Sequence, residues 1–113
     1  MVDMGLKIDL DLTDKDAWTA TYYCLKTLAY SSTYFHLTNK GVHIIIPELP
    51  DHEVLRRLFG DDEIRIQMDR ERARHGLESN VVFIAKNGKR YEVTKSIERV
   101  IEWIVEVKKR LRN

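Results

Sequence analysis

Residues 6–12 read Leu-Lys-Ile-Asp-Leu-Asp-Leu, a strict alternation of apolar and charged side chains. Strand side chains alternate faces, so a strand here sets Leu6, Ile8, Leu10 and Leu12 against Lys7, Asp9 and Asp11. The period then turns helical. Thr13 can cap the next turn, and Ala17, Thr21, Cys24, Leu25 and Leu28 recur at helical spacing, which predicts a helix over 14–29. Strand-like runs over 33–38 and 42–46 flank Asn39-Lys40-Gly41, a hairpin loop whose Asn and Gly tolerate positive φ. Pro47 and Pro50 bracket a break. A short helix over 51–59 follows, with Asp51 as its cap and Gly60 where a left-handed residue closes it.

Residues 63–69 alternate again, Ile64, Ile66 and Met68 against Arg65, Gln67 and Asp69, and read as a strand. The charged run 70–75 reads as a loop or helical turn. Runs over 80–86 and 89–93 flank Asn87-Gly88, a strong two-residue hairpin signal. From Thr94 onward Ile97, Val100, Ile101, Ile104, Val107 and Leu111 mark a last helix. The order β-α-β-β-α-β-β-α predicts an α+β two-layer sandwich. Its core follows the βαββαβ order of RRM-like and ferredoxin-like folds, with a C-terminal hairpin strand and helix added.

The 113 residues suit one domain, 1–113, with one modest core. With 43% apolar and 33% charged residues the chain is globular rather than disordered. A net charge of +1 gives no global attraction to nucleic acid or an anionic membrane, so any such contact rests on a local patch. The lone Cys24 excludes a disulfide framework and a cysteine zinc cluster, and reads as a small buried group. Trp18 and Trp103 fall in helical patterns and are expected in the core. No apolar run approaches a membrane span of about 18 residues, and no signal-peptide pattern opens the chain, so a cytoplasmic location is expected.

With apolar positions turned toward the helices, Lys7, Asp9, Asp11, Tyr34, His36, Thr38, His43, Arg65, Gln67 and Asp69 collect on the opposite, solvent-accessible sheet face. Asp is a poor strand former, so three strand Asp residues on one face ask for a reason. Asp9 and Asp11 would have Cα atoms roughly 7 Å apart. Close carboxylates repel unless a cation lies between them, which suits a divalent metal. A plain solvated face and an exposed pairing of Asp69 with Arg65 or Arg72 are the competing structural readings. Arg72, in a run of arginines, and Lys86, beside the last hairpin, can contact a nucleic-acid backbone.

These residues resemble the archaeo-eukaryotic primase (primase–polymerase) superfamily, as a minimal or divergent member. Ile8-Asp9-Leu10-Asp11-Leu12 is similar to its hDhD strand motif, and Gly41-Val42-His43 to its small-residue-x-His motif. Met68-Asp69 matches its later strand Asp, with Asp61 and Asp62 competing for that role. The resemblance implies that Asp9, Asp11 and Asp69 hold Mg²⁺ or Mn²⁺, and that His43, with Lys40 and Arg65, binds the phosphates of a nucleoside triphosphate. It implies nucleotidyl transfer in DNA replication, with nucleic acid and other replication proteins as partners. A noncatalytic nucleic-acid-binding accessory domain and a metal-dependent nuclease remain open as alternatives.

Overall fold

The computed structural model describes residues 5–82 and 84–112. Position 83, inside the run over 80–86, lies outside them. Strand β1 (Leu6–Asp11) leads to helix α1 (Ala17–Lys26), which ends in a 3-10 turn at Thr27–Ala29. The hairpin β2 (Tyr34–Thr38) and β3 (Gly41–Ile46) precedes helices α2 (Glu53–Leu58) and α3 (Glu63–Arg74). A small hairpin, β4 (Ala85–Lys86) and β5 (Lys89–Arg90), then β6 (Glu92–Thr94) and α4 (Ile97–Leu111) complete the chain. This is an α+β architecture with a four-stranded sheet ordered β1-β3-β2-β6, and each neighbouring pair is antiparallel.

Alternation places the core as the sequence predicts. Leu6, Ile8, Leu10 and Leu12 pack with Phe35, Leu37, Val42, Ile44 and Ile46 against Ala20 and Cys24 of α1 and Val100, Ile104 and Val107 of α4. Helices α1 and α4 also touch each other, closing one layer over the sheet. Cys24 is buried, and burial pushes its thiol up to about 12, so it serves as packing. Trp103 packs against the core edge and donates its indole N–H to the carbonyls of Thr38 and Gly41. Trp18 departs from expectation. It is 83% exposed, because α1 turns Ala20 and Cys24 inward and Trp18 lies off that stripe.

The main correction concerns residues 63–69, which form the first part of α3 rather than a strand. Asp62 caps the helix by accepting from the Ile64 N–H, and Glu63 accepts from Gln67 one turn on. Glu, Arg, Gln, Met and Ala are strong helix formers, and the helix continues through 70–74, read from sequence as a loop. Of the three alternating apolar residues only Ile66 is buried; Ile64 and Met68 lie one turn apart and are exposed. β6 supplies the last strand of the sheet in place of 63–69, but it joins the β2 edge, whereas a ferredoxin-like or RRM-like sheet sets its last strand beside β1, so the strand order departs from that expectation.

Capping differs locally too. Asp16, not Thr13, caps α1, and His52, not Asp51, caps α2. Gly60 does take φ +81, and Asn87-Gly88 has φ 54 and 78, as a tight type I′ hairpin requires.

The edge of β1 is closed by a carboxylate. Asp61 Oδ1 accepts from the backbone N–H of Asp9 at 2.9 Å and from that of Asp62 at 3.0 Å. Its Oδ2 accepts from Arg56 Nε at 2.6 Å and from Arg65 at 2.7 Å. Arg56 also donates to Asp69 at 2.9 Å, and Arg65 to the Asn80 side chain, which in turn donates to Asp51 at 2.6 Å. The group ties α2, α3 and the segment at Asn80 to the sheet edge. Asp61→Ala leaves two arginines without their shared buried carboxylate. It should cost about 3–5 kcal/mol in chemical denaturation; a loss near that of an exposed pair, below about 1 kcal/mol, would show the network to be dispensable. Gly41 is constrained sterically, since a Cβ there would lie 1.9 Å from the Leu10 carbonyl oxygen. Gly41→Ala should therefore destabilise by about 1–3 kcal/mol or more, read as a lowered denaturant midpoint.

Candidate functional site

Asp9 faces His43 in the β1–β3 register, and His43 faces His36 in the β2–β3 register. One row of side chains thus crosses three strands. Asp9 turns its N–H outward to Asp61, so Asp9 and His43 form a pair without ladder hydrogen bonds, where facing side chains stand closest. His43 Nε2 lies 3.7 Å from Asp9 Oδ1, and its Nδ1 lies 3.4 Å from His36 Nδ1. Tyr91 closes the row from the other side, its ring centroid 5.9 Å from that of His43 in an edge arrangement.

Asp9, Asp11 and His43 share the face that alternation assigns to them, but that face is not open. Asp9 and Asp11 are half-buried, whereas Lys7, His36 and His43 are buried, as is Ile45 beside them. Elements that the sequence reading treats as a fourth strand and a free hairpin close over it. Asp11 Oδ1 accepts from both the N–H (2.9 Å) and the hydroxyl (2.7 Å) of Thr13, which fixes its rotamer.

Two cavities meet on this row. One, of about 190 Å³, is lined by Asp9, Asp11, His43, Lys40, Lys86 and Tyr91, with Thr38 and Asn39. The other, of about 260 Å³, shares Asp9 and His43 and adds Arg65, Asp69 and Arg72, with Asp62, Ile64, Met68, Val81 and Val82. All eight sequence-selected residues therefore line one or the other. Arg65 and Asp69 do so from one face of a helix, one turn apart, and not from a strand.

Asp69 is not placed as a third metal ligand. It is nearly buried and held by Arg56, with Arg72 3.9 Å away. Asp61, the alternative, is saturated by two arginines and two backbone donors. Among the described residues no group of three His, Cys, Asp or Glu side chains is arranged to hold a metal ion. Asp9 and Asp11 line one cavity, so a cation between them would need its remaining ligands from elsewhere, such as phosphate oxygens and water.

Burial pushes the Asp9 carboxyl up to about 6; Arg65 opposes this, and Asp61, Asp11 and Asp62 add to it. Burial, with His36 and Arg65 nearby, pushes His43 down to about 3. At neutral pH His43 is thus an uncharged imidazole that can donate from one nitrogen and accept at the other.

Tyr91 is the residue the sequence reading missed. It sits in the predicted 89–93 run, but a face could be assigned only once the hairpin was seen to fold over the sheet. No protein-family model, curated protein or solved structure matches the chain.

The titrations have opposite signs. Between about 4 and 6 the folded chain keeps a proton on Asp9 that the unfolded chain has released. Stability from this group therefore falls as pH rises through that window, and Asp9→Asn should remove this contribution and leave only the opposite slope of His43. His43 works the other way, since the unfolded imidazole gains a proton below about 6.5 that the folded one refuses until about 3. In carbon-detected NMR of the metal-free protein, Asp9 should titrate near 6, and lower in Asp11→Asn. A midpoint near 4 in both proteins would show that neither burial nor Asp11 holds a proton on Asp9.

Proposed function

We propose that the chain is a primase–polymerase-type nucleotidyltransferase domain that binds a nucleoside triphosphate with one divalent cation at Asp9 and Asp11. The observation that carries this reading is the division of charge around the Asp9–His43 row. Two half-buried carboxylates form one wall, and Lys40, Lys86, Arg65 and Arg72 reach the two cavities from three other elements. Carboxylates alone would suit a cation, and lysines alone an anion. Both together suit a metal-bound polyphosphate.

When bound, Mg²⁺ or Mn²⁺ would neutralise phosphate charge and favour ionisation of an attacking hydroxyl. The protein's own groups do the rest. Asp11 is held in one rotamer by Thr13, so its carboxylate is oriented before the ligand arrives. Neutral His43 donates a hydrogen bond to a phosphate oxygen without adding a charge. Lys40, exposed on the β2–β3 turn, closes on the outer phosphates. Nucleic acid would supply the accepting 3′ hydroxyl.

A second reading, a nucleotide- or nucleic-acid-binding accessory domain without transfer, is favoured by the engagement of Asp69 with Arg56. Labelled-triphosphate binding followed by primer extension with Mn²⁺ separates the two. Lys40→Ala and His43→Gln should each weaken triphosphate binding by about tenfold, the worth of one hydrogen bond to a charged group. His43→Gln is preferable to alanine because His43 packs on His36 and Tyr91. Asp11→Asn keeps the Oδ1 that Thr13 binds, so it tests charge alone. It should lower transfer by at least about a hundredfold, since metal charge stabilisation is worth several kcal/mol, while binding falls less. Triphosphate binding without extension would favour the accessory reading; no triphosphate binding at all would sink both nucleotide readings.

A further inference from the structure

A cavity of about 420 Å³ lies outside the row just described. It opens between the β2–β3 turn and the β4–β5 hairpin. Asn39, Lys86, Lys89, Arg90, Tyr91 and Trp103 line it. Asn39, Lys86 and Tyr91 also line the smaller cavity that holds Asp9 and Asp11, so the two are continuous along one wall.

Its charge is one-sided. The one carboxylate on its wall, Glu92, is engaged by both the Nε and a terminal nitrogen of Arg99 at 2.9 Å each. Among the described residues no ion pair engages Lys86, Lys89 or Arg90. Three uncompensated cations on a two-residue hairpin are not explained by the fold, since exposed cations on a hairpin add little stability. Beneath them Trp103 is pinned by two backbone carbonyls and covered by Arg99 and Arg110, 5.6 and 5.1 Å from its ring. The floor is therefore rigid and itself bordered by guanidinium groups.

We propose that this cleft binds the sugar-phosphate backbone of a single-stranded nucleic acid and leads its end toward Asp9 and Asp11. Lys86, Lys89 and Arg90 contact successive phosphates, and the side-chain amides of Asn39 and Asn87 hydrogen-bond sugar or base edges. Tyr91, where the two cavities join, offers its ring to a base, the sequence-tolerant contact that single-strand binders use. A cavity of this volume is in the range for one small-molecule-sized unit and admits a single strand rather than a duplex. The proposal rests on the nucleotidyltransferase reading only for the direction of the strand, and its test involves neither metal nor triphosphate.

Fluorescence anisotropy of labelled oligo-dT and oligo-rU, in EDTA, reads the cleft directly. Lys89→Ala/Arg90→Ala leaves the Asp9–Asp11 cavity intact, because neither residue lines it. This variant should bind the oligonucleotides about tenfold more weakly. The slope of log affinity against log salt should flatten by about 1.4, with about 0.7 lost per phosphate contact. Lys109→Ala/Arg112→Ala, which removes the same charge from the exposed end of α4, should leave both quantities unchanged. Circular dichroism confirms that each variant folds. Binding of either oligonucleotide with this pattern supports the assignment, and the tighter one names the sugar. The proposal is overturned by equal losses in the two variants, by no binding in the wild type, or by displacement of the oligonucleotide by polyglutamate at equal charge. Triphosphate binding is measured separately, so loss of one activity with the other retained tells which reading has failed.

Discussion

One carboxylate holds the molecule's functional side together. Asp61 has a side chain with no solvent exposure and four donors, two from backbone and two from arginines. Burying a carboxylate is costly unless every lone pair finds a donor, and here the donors come from three elements. The Asp9 N–H would otherwise sit unpaired at the open edge of β1, the usual weak point of a sheet. Arg56 and Arg65 would otherwise be cations turned inward from α2 and α3. One side chain satisfies all three needs, and in doing so fixes the distance between α3 and the row that runs Asp9, His43, His36.

That placement has an electrostatic consequence. Bringing Asp61 and Asp62 up to β1 adds negative charge beside Asp9, already disfavoured as an anion by burial and by Asp11. Arg65 offsets part of this, since it faces Asp61, Asp9 and His43 together. The same guanidinium that steadies the carboxylates keeps His43 from becoming a cation. Asp9 and Asp11 share their cavity with Lys40 and Lys86, and Arg65 and Arg72 line the adjoining one. The proposed metal-bound polyphosphate would meet charge of both signs there.

The hairpins complete the division. Asn39-Lys40 and Asn87-Gly88 are tight turns whose backbone chemistry leaves their lysines and Arg90 at the rim rather than in the sheet. Gly41 lets β3 approach the Leu10 carbonyl closely, which sets the β2–β3 turn directly over Asp11. A short rigid turn spares the backbone an ordering cost on meeting an anion, although the long basic side chains still lose rotamer freedom.

The alternation of 6–12 and of the β2–β3 hairpin determined the core face, the face of Asp9, Asp11 and His43, and the α+β class, because period-two burial is a local property of each strand. The type I′ turn at Asn87-Gly88 and the last helix were equally legible, the first from residues that accept positive φ and the second from about four turns of apolar spacing. Residues 63–69 were not. Three apolar residues in alternation read as a strand, but the Asp62 cap and a run of strong helix formers favour the helix, with Arg65 paired to Asp61 one turn back and Asp69 to Arg56 of α2. Trp18 was misplaced for a related reason, since a helical stripe names an inward face only when its partner is known. The fate of Asp69 and Asp61, the burial of His43 and the arrival of Tyr91 beside it depended on contacts between different elements, such as Arg56 of α2 with Asp61 and Asp69, and Asp61 with the Asp9 N–H of β1. Local periodicity carries no information about such contacts, and only the packed tertiary structure could decide them.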